Sequence, residues 1–423
     1  MFCSTRIFAT TLTTLCTTGL ALAQDDSRPT TIEDRLDSLE AENAELRERL
    51  DIVSEEIERA DLRDLFPKIG HSHFGLGPAA SKVYEQEQGL SIGGYGEGFF
   101  SSYSGSKDST TDLLRAILYT GYKFNDKWLF NSELEIENAS TGASGAVSFE
   151  FAALDYMARE SFNARFGLVL MPMGFINEMH EPTTFLSVHR PLTEQVIIPS
   201  TWRENGVGMY GEAGGFSYRG YIVNGFDANG FSEAGLRGGR QKGSKAKAND
   251  LAVTARLDWT DTPGMLAGAS VYFGNSGQET AGFGSVGTSI VDLHFQYEYQ
   301  GWWFRALGAL ANLDGTAQLN AAKGLTGTSV IGDEMLGYYG EVGFDLMTAF
   351  SPESGRALTP YVRYEKVNTQ ESVAVGMADP ANDERILSFG LAFQPVDEII
   401  FKTSFEDFDN GPDRFSLSMG YAF

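Results

Sequence analysis

From about residue 88 to residue 423, apolar and polar side chains alternate with period 2, in runs broken by turn-forming residues. Such alternation gives a strand one greasy face and one polar face. Runs are expected near 89–103, 112–124, 127–139, 145–159, 161–171, 205–213, 215–225 and 250–260. Others follow near 265–275, 288–300, 301–313, 335–349, 357–369, 385–395, 397–408 and 413–423. Sixteen is an even number, as a closed antiparallel bacterial barrel requires. In the last run, RFSLSMGYAF, Phe415, Leu417, Met419, Tyr421 and Phe423 share one face, and Ser416, Ser418, Gly420 and Ala422 the other. Chain ends usually fray. A hydrophobic strand here makes sense if it pairs with the first run, LSIGGYGEGFF, and closes the sheet.

Composition agrees with a barrel that faces lipid. Only 42% of residues are apolar, yet the chain has 48 Gly, 30 Phe and 17 Tyr. Beyond the first 24 residues nothing resembles the ~20-residue apolar run of a membrane helix. A barrel strand needs only ~10 alternating residues, so overall hydropathy stays low. Short connections (Asn125-Asp126, Gly214, Thr262-Pro263-Gly264, Gln300-Gly301) contrast with long ones over 226–249, 276–287, 314–334 and 370–384. Trp128, Trp259, Trp302, Trp303, Tyr338 and Tyr361 crowd strand ends, where interfacial aromatic girdles lie. A β-propeller is disfavoured because no repeat of ~40–50 residues is found. The fold expected is all-β, a sixteen-stranded antiparallel transmembrane barrel over 88–423.

Upstream, residues 1–23 read as a signal peptide: Arg6, a modest apolar stretch, and Ala21-Leu22-Ala23 before Gln24. Both cysteines, Cys3 and Cys16, fall inside it, so the mature chain has none to pair. In segment 24–66, Ile32, Leu36, Leu39, Asn43, Leu46, Leu50, Val53, Ile57 and Ala60 keep an unbroken 4,3 spacing. This heptad predicts a coiled coil in the periplasm, with Asn43 at an a position fixing register. Pro67, Gly70, Gly75, Gly77 and Pro78 mark 67–87 as a linker. The net charge of −25 argues against nucleic acid as a partner.

If the greasy parity of each strand meets lipid, the other parity faces the lumen. Arg115, Arg165, Arg219, Arg256, Arg305, Arg363 and Lys402 then point inward. So do Glu133, Glu135, Glu137, Glu150, Asp258, Asp292, Glu298, Glu341, Asp345, Glu365 and Glu406. A charge on the lipid face costs ~2–4 kcal/mol at mid-membrane, which enforces this parity. The expectation is a wet, charged lumen. The arginines form an anion-conducting ladder, or they neutralise the carboxylates across the wall and stiffen it. Segment 171–206 has no clean alternation and carries Pro172, Pro182, Pro191 and Pro199. Long loops in compact folds are usually functional. It is expected to fold inward as a constriction bearing Arg190, Arg203, Glu178, Glu181, Glu194 and Glu204; a lid outside the barrel is the alternative.

Over about 165–226 the chain resembles the phosphate-selective porin O and P family. The shared pattern is Pro172-Met173-Gly174, then Arg190-Pro191, then Gly206-Val207 with Gly211, and Tyr218 with Asn224-Gly225. The resemblance implies a trimeric sixteen-stranded outer-membrane porin, some members favouring phosphate, with a coiled coil in some relatives. Arg165, Arg190 and Arg203 are the residues onto which the family's arginine role would fall. The acidic barrel departs from that pattern. The basic cluster Arg237, Arg240, Lys242, Lys245 and Lys247 is placed in an outer loop, where it meets lipopolysaccharide phosphates or solvent.

Together these readings predict an outer-membrane porin for passive diffusion of small hydrophilic solutes, possible anions such as phosphate among them. The alternative is a general or cation-preferring porin whose coiled coil also tethers the membrane to the cell wall. Expected partners are outer-membrane lipid and lipopolysaccharide, small ionic solutes, further copies in a homotrimer, and the barrel-assembly machinery, whose recognition signal the terminal aromatic resembles. No cofactor or metal is expected. Enzymatic activity is not expected either: His71, His73, His180, His189 and His294 form no H-E-x-x-H or nucleophile-base pattern.

Overall fold

Residues 39–40, 43–47, 49, 72–142 and 144–423 are described by the computed structural model. The chain divides into two units, residues 1–67 and 68–423. The described residues of the first unit are all helical, with Leu39 and Leu46 exposed. The Asn43 side chain donates to the Leu39 carbonyl at 3.2 Å, and Arg49 meets Glu45 at 2.7 Å. The expected signal peptide, the rest of the expected coiled coil and residues 67–71 lie outside the described residues.

The second unit holds sixteen strands. They are β1 Gly89–Tyr103, β2 Thr110–Lys123, β3 Trp128–Glu137, β4 Ala146–Arg159 and β5 Phe162–Leu170. After a long insertion come β6 Arg203–Ala213, β7 Phe216–Asn224, β8 Leu251–Trp259, β9 Met265–Asn275 and β10 Gly287–Tyr299. The wall finishes with β11 Trp302–Leu313, β12 Glu334–Phe344, β13 Ala357–Ser372, β14 Asp383–Val396, β15 Ile399–Phe408 and β16 Arg414–Ala422. Every strand pairs antiparallel with its sequence neighbours, and β1 pairs with β16 to close the barrel. Tyr95 lies opposite Ala422 and Tyr103 opposite Arg414. Phe423 exchanges both backbone hydrogen bonds with Gly94, at 2.8 and 2.9 Å. The terminal residue is therefore part of the seam.

Side-chain parity follows the pleat. Ile92, Leu118, Phe273, Leu293, Phe389 and Met419 are exposed on the outer wall, while the charged residues of the other parity are buried. Two-residue turns suit tight reversals: Gln300 and Gly301 both adopt positive φ, 49° and 85°, which matches the strand twist. At the short-turn end the rings of Trp128 and Tyr156, Phe216 and Trp259, and Trp302 and Phe344 pair at 4.9 Å. Two residues expected in that girdle turn inward instead. Trp303 donates to Glu341 at 3.1 Å, and Tyr361 is buried against Ser404 at 2.5 Å. Adjacent strand residues face opposite sides, so Trp302 outward forces Trp303 inward.

The lumen is filled from two sources. The insertion between β5 and β6 folds inside, since it touches β3 through His180, β7 through Glu178, β13 through Thr193 and β15 through Val188. Only a segment within the barrel can reach all those walls. The second source was read as linker. Residues Pro78–Glu85 form a helix, α1, with proline in its first turn. Proline breaks a helix interior but starts one readily. Its Ala79, Ala80, Val83 and Tyr84 pack on Tyr95, Ile117 and Leu129 of the inner wall.

Wall glycines make room for these insertions. A Cβ on Gly337 would lie 2.8 Å from Thr193, and one on Gly420 would lie 2.5 Å from Pro182. Gly340, on the outward parity, has nothing within 4 Å. Gly337→Val is therefore expected to cost about 1–3 kcal/mol through overpacking. Urea unfolding checks this: its midpoint should fall at unchanged slope, while Gly340→Ala stays within about 0.5 kcal/mol of the parent.

Candidate functional site

Burying a charge is tolerable when it is paired and hydrogen-bonded. The inner wall obeys this closely. Arg165 holds Asp155 at 2.8 Å and the Tyr84 hydroxyl of α1 at 2.8 Å. Arg219 bridges Glu178 of the insertion at 2.9 Å and Asp258 at 3.1 Å. Arg256 meets Asp258 at 2.7 Å and donates to the Gly174 carbonyl. Arg115 pairs with Glu97 at 2.9 Å, and Arg203 with Glu150 at 3.3 Å. Arg363 donates to Ser187 at 2.6 Å, with Glu341 and Glu406 at 3.7 and 3.8 Å. Arg305 has no ion pair among the described residues; it donates to Gln296 at 2.8 Å and lies 4.7 Å from the Phe175 and Trp303 ring centres.

These contacts correct the picture of a water-lined arginine ladder. The wall arginines are covered by the insertion and α1 and act as struts between strands and insertion. Ion pairs hold Arg115, Arg165, Arg203, Arg219, Arg256 and Arg363, while Arg305 is held by Gln296 and two aromatic rings instead.

The carboxylates of the insertion are struts too. Glu181 accepts the Ala79 and Ala80 N–H groups at 3.0 and 3.2 Å, gripping the start of α1. Glu194 accepts from Ile176 N at 2.7 Å and Tyr339 at 2.6 Å, and its burial raises its pKa. It belongs to the short helix α2, Thr193–Val196. Glu204, at the start of β6, takes Asn224 at 2.6 Å and Gln241 N at 2.8 Å.

Four further cations, outside the strands, also lack carboxylate partners. Arg190, Arg237, Arg240 and Lys242 form no ion pair among the described residues. Arg190 donates to the His180 carbonyl at 3.3 Å. Arg237 donates to the Gln195 carbonyl at 3.3 Å and to that of Ser200. Arg240 donates to Pro199 O at 3.1 Å and Thr201 O at 2.8 Å. Burial comes first and neighbouring arginines second in depressing their pKa values, Arg240 to about 9. The loop that carries three of them was expected to lie outside. Arg237, Lys242, Lys245 and Lys247 are exposed, while Phe226, Phe231 and Leu236 anchor the loop by burial, Phe226 stacking on Trp202 at 4.3 Å. Its periodicity is poor, so only the interleaved apolar residues hinted at this. Beside the cations, Thr183, Thr184, His189, Leu192, Gln195 and Val196 keep partial exposure.

Histidines are tied into the same framework. His294 lies between Asp292 at 2.6 Å and Asp258 at 2.7 Å. His180 lies between Glu133 and Glu150, a grouping that no local motif announces. His189 touches Ser101 at 3.3 Å and Ser416 at 3.0 Å, beside the β1–β16 seam.

No known protein-family profile matches this chain. An uncharacterized protein of Aquifex aeolicus (strain VF5) is 36% identical over 369 residues, 84% of each chain. The chain belongs to the same family as that protein. Among solved structures, Salmonella typhi OmpF in complex with daunomycin superposes with a TM-score of 0.53 at 14% identity, over 81% of this chain and 99% of that one. The outer membrane channel DcaP of Acinetobacter baumannii gives 0.53 at 12% identity, over 79% and 97%. The fold is thus that of the sixteen-stranded outer-membrane porins.

The seam histidine yields a pH test. Burial, then Arg414, pulls His189 down from 6.5 to about 4. A depressed histidine binds fewer protons folded than unfolded, so stability rises with pH across that window. This contribution is complete above about 6.5 and is lost as pH falls to about 4. Urea midpoints measured from pH 7 to 4 should show it, and His189→Gln should remove about 3 kcal/mol of the dependence.

Proposed function

We propose that the protein is an outer-membrane porin that admits small hydrophilic anions by passive diffusion. One observation carries the choice of anions: Arg190, Arg237, Arg240 and Lys242, on the inward segment and the loop after β7, form no ion pair among the described residues, and neither do Arg305 and Lys402 on the wall. The net charge of −25 belongs to the whole chain, whereas selectivity depends on the field at the narrowest zone. In this reading the wall's arginines are taken up in pairs with its carboxylates. The inward segment and the loop after β7 then supply the charge a solute meets. The likeness of 165–226 to phosphate-selective porins supports the same assignment, with Arg190 in the arginine role. Oxyanions such as phosphate would be drawn by charge-assisted hydrogen bonds from guanidinium groups.

Reconstitution in a planar bilayer under a salt gradient tests this. The reversal potential should take the sign of anion preference, and no current at all would remove the channel reading. A charge pair at 4 Å in water is worth about 1 kcal/mol, so Arg190→Gln with Arg237→Gln should lower the anion-to-cation permeability ratio about five- to tenfold. Arg165→Gln, by contrast, should act on barrel stability and leave the ratio near that of the parent.

The same proposal extends to assembly. Leu39 and Leu46, both at d positions, are exposed on their helix, as a strand of a coiled coil awaiting its partners would be. Homotrimers joined through these helices account for that exposure. Cross-linking of detergent-extracted protein should yield trimers, and exclusively monomers would overturn this part.

A further inference from the structure

The buried grouping around His180 is explained neither by the strut pattern nor by anion passage. Glu133 stands on β3, Glu150 on β4 and His180 on the inward segment, and all three are at most 1% exposed. Their donor atoms lie within 4.8 Å of one another. A bulge brings the carboxylates together: Glu133 pairs with Phe151 and Leu134 with Phe149, so Glu150 is the extra residue. Bulges re-aim side chains in this way. Here both Glu150 and Phe151 are turned into the barrel.

The histidine is set to match. Its Nδ1 lies 3.1 Å from the Asn177 carbonyl, which can only accept, so Nδ1 carries a proton. Its Nε2 points at Glu133 Oε1, 3.1 Å away, and at Glu150 Oε2, 3.3 Å away. A backbone carbonyl holding the far nitrogen is the usual arrangement behind a metal-binding imidazole. Two ligand atoms on a tetrahedral zinc ion with bonds of ~2.0–2.1 Å are about 3.3 Å apart, close to both separations. Arg203 serves Glu150, but Glu133 pairs with no arginine or lysine among the described residues. Glu133 Oε2 is buried with no hydrogen-bond partner.

We propose that Glu133, Glu150 and His180 hold a zinc-class divalent cation that fastens the inward segment to β3 and β4. One imidazole with two carboxylates favours zinc and its transition-metal neighbours over calcium or magnesium, which take oxygen alone. Because the site is closed to solvent, the ion loads as the segment docks, and metal affinity becomes folding free energy.

The test uses the full chain, unfolded in chelator and refolded in detergent with or without zinc. The expected result is one zinc per chain that survives dialysis and raises the unfolding midpoint. Glu133→Gln and His180→Gln should bind zinc at least about tenfold more weakly, and His73→Gln should bind as the parent does. In His180→Cys refolded with cobalt, a sulfur-to-cobalt charge-transfer band should appear that the parent lacks. Parent protein that folds but retains no zinc would overturn the proposal, leaving His180 to bridge the two carboxylates by hydrogen bonds alone. Zinc that persists in His180→Gln and is lost in His73→Gln would overturn it too. If the variants fail to form barrels, zinc-edge absorption of the parent decides: one imidazole with carboxylate oxygens supports the site, and two or more imidazoles refute it.

Discussion

An open sheet in lipid leaves unpaired N–H and C=O groups with no water to satisfy them. Closure of β1 on β16 removes that cost, and much else in the chain serves it. The wall needs an even number of strands, short reversals at one end, and a last strand kept in pairing up to Phe423, which bonds to Gly94. Parity is then dictated on both faces. Lipid requires apolar side chains outside, so polar and charged groups can only go inward. A barrel of this size has too much interior for its own side chains to fill, and the chain fills it with the β5–β6 insertion and α1.

Packing the interior turns charge into architecture. An arginine on the inner wall of a barrel invites a transport role, yet Arg165, Arg219 and Arg256 are occupied by Asp155, Glu178 and Asp258. Removing one member would strand its partner in a poorly solvated place, which costs far more than the pair contributes. A cation bonded only to carbonyls keeps its positive charge uncancelled, as Arg190, Arg237 and Arg240 do. Charge counts taken over a whole sequence miss this distinction between paired and unpaired groups.

Much of the fold was legible in the sequence because strand period and turn chemistry are local. The sixteen runs, the seam and the inward course of 171–202 could all be read from alternation or its loss. What depended on height along the barrel could not. Parity puts Arg219 and Asp258 on the same face but does not say that they meet. The bulge at Glu150 breaks the parity count in mid-strand, so Glu150 and Asp155 both face inward although they are five residues apart. Helix α1 was hidden by its own start signal, since Pro78 after Gly75 and Gly77 reads equally well as a linker. Trp303 was assigned to the girdle by residue type, when its neighbour Trp302 already held the outward position.

The inward segment also constrains the order of assembly. Thr193 binds Glu365 of β13, Val188 binds Ser404 of β15, and His189 binds Ser416 of β16. All three partners are made more than 150 residues later in the chain than the segment itself. The segment cannot finish docking until the last strands arrive, and those strands cannot settle until it stands clear of the seam. Filling the interior and closing the wall are therefore linked, and a chain stalled short of β16 would leave this segment without several of its partners.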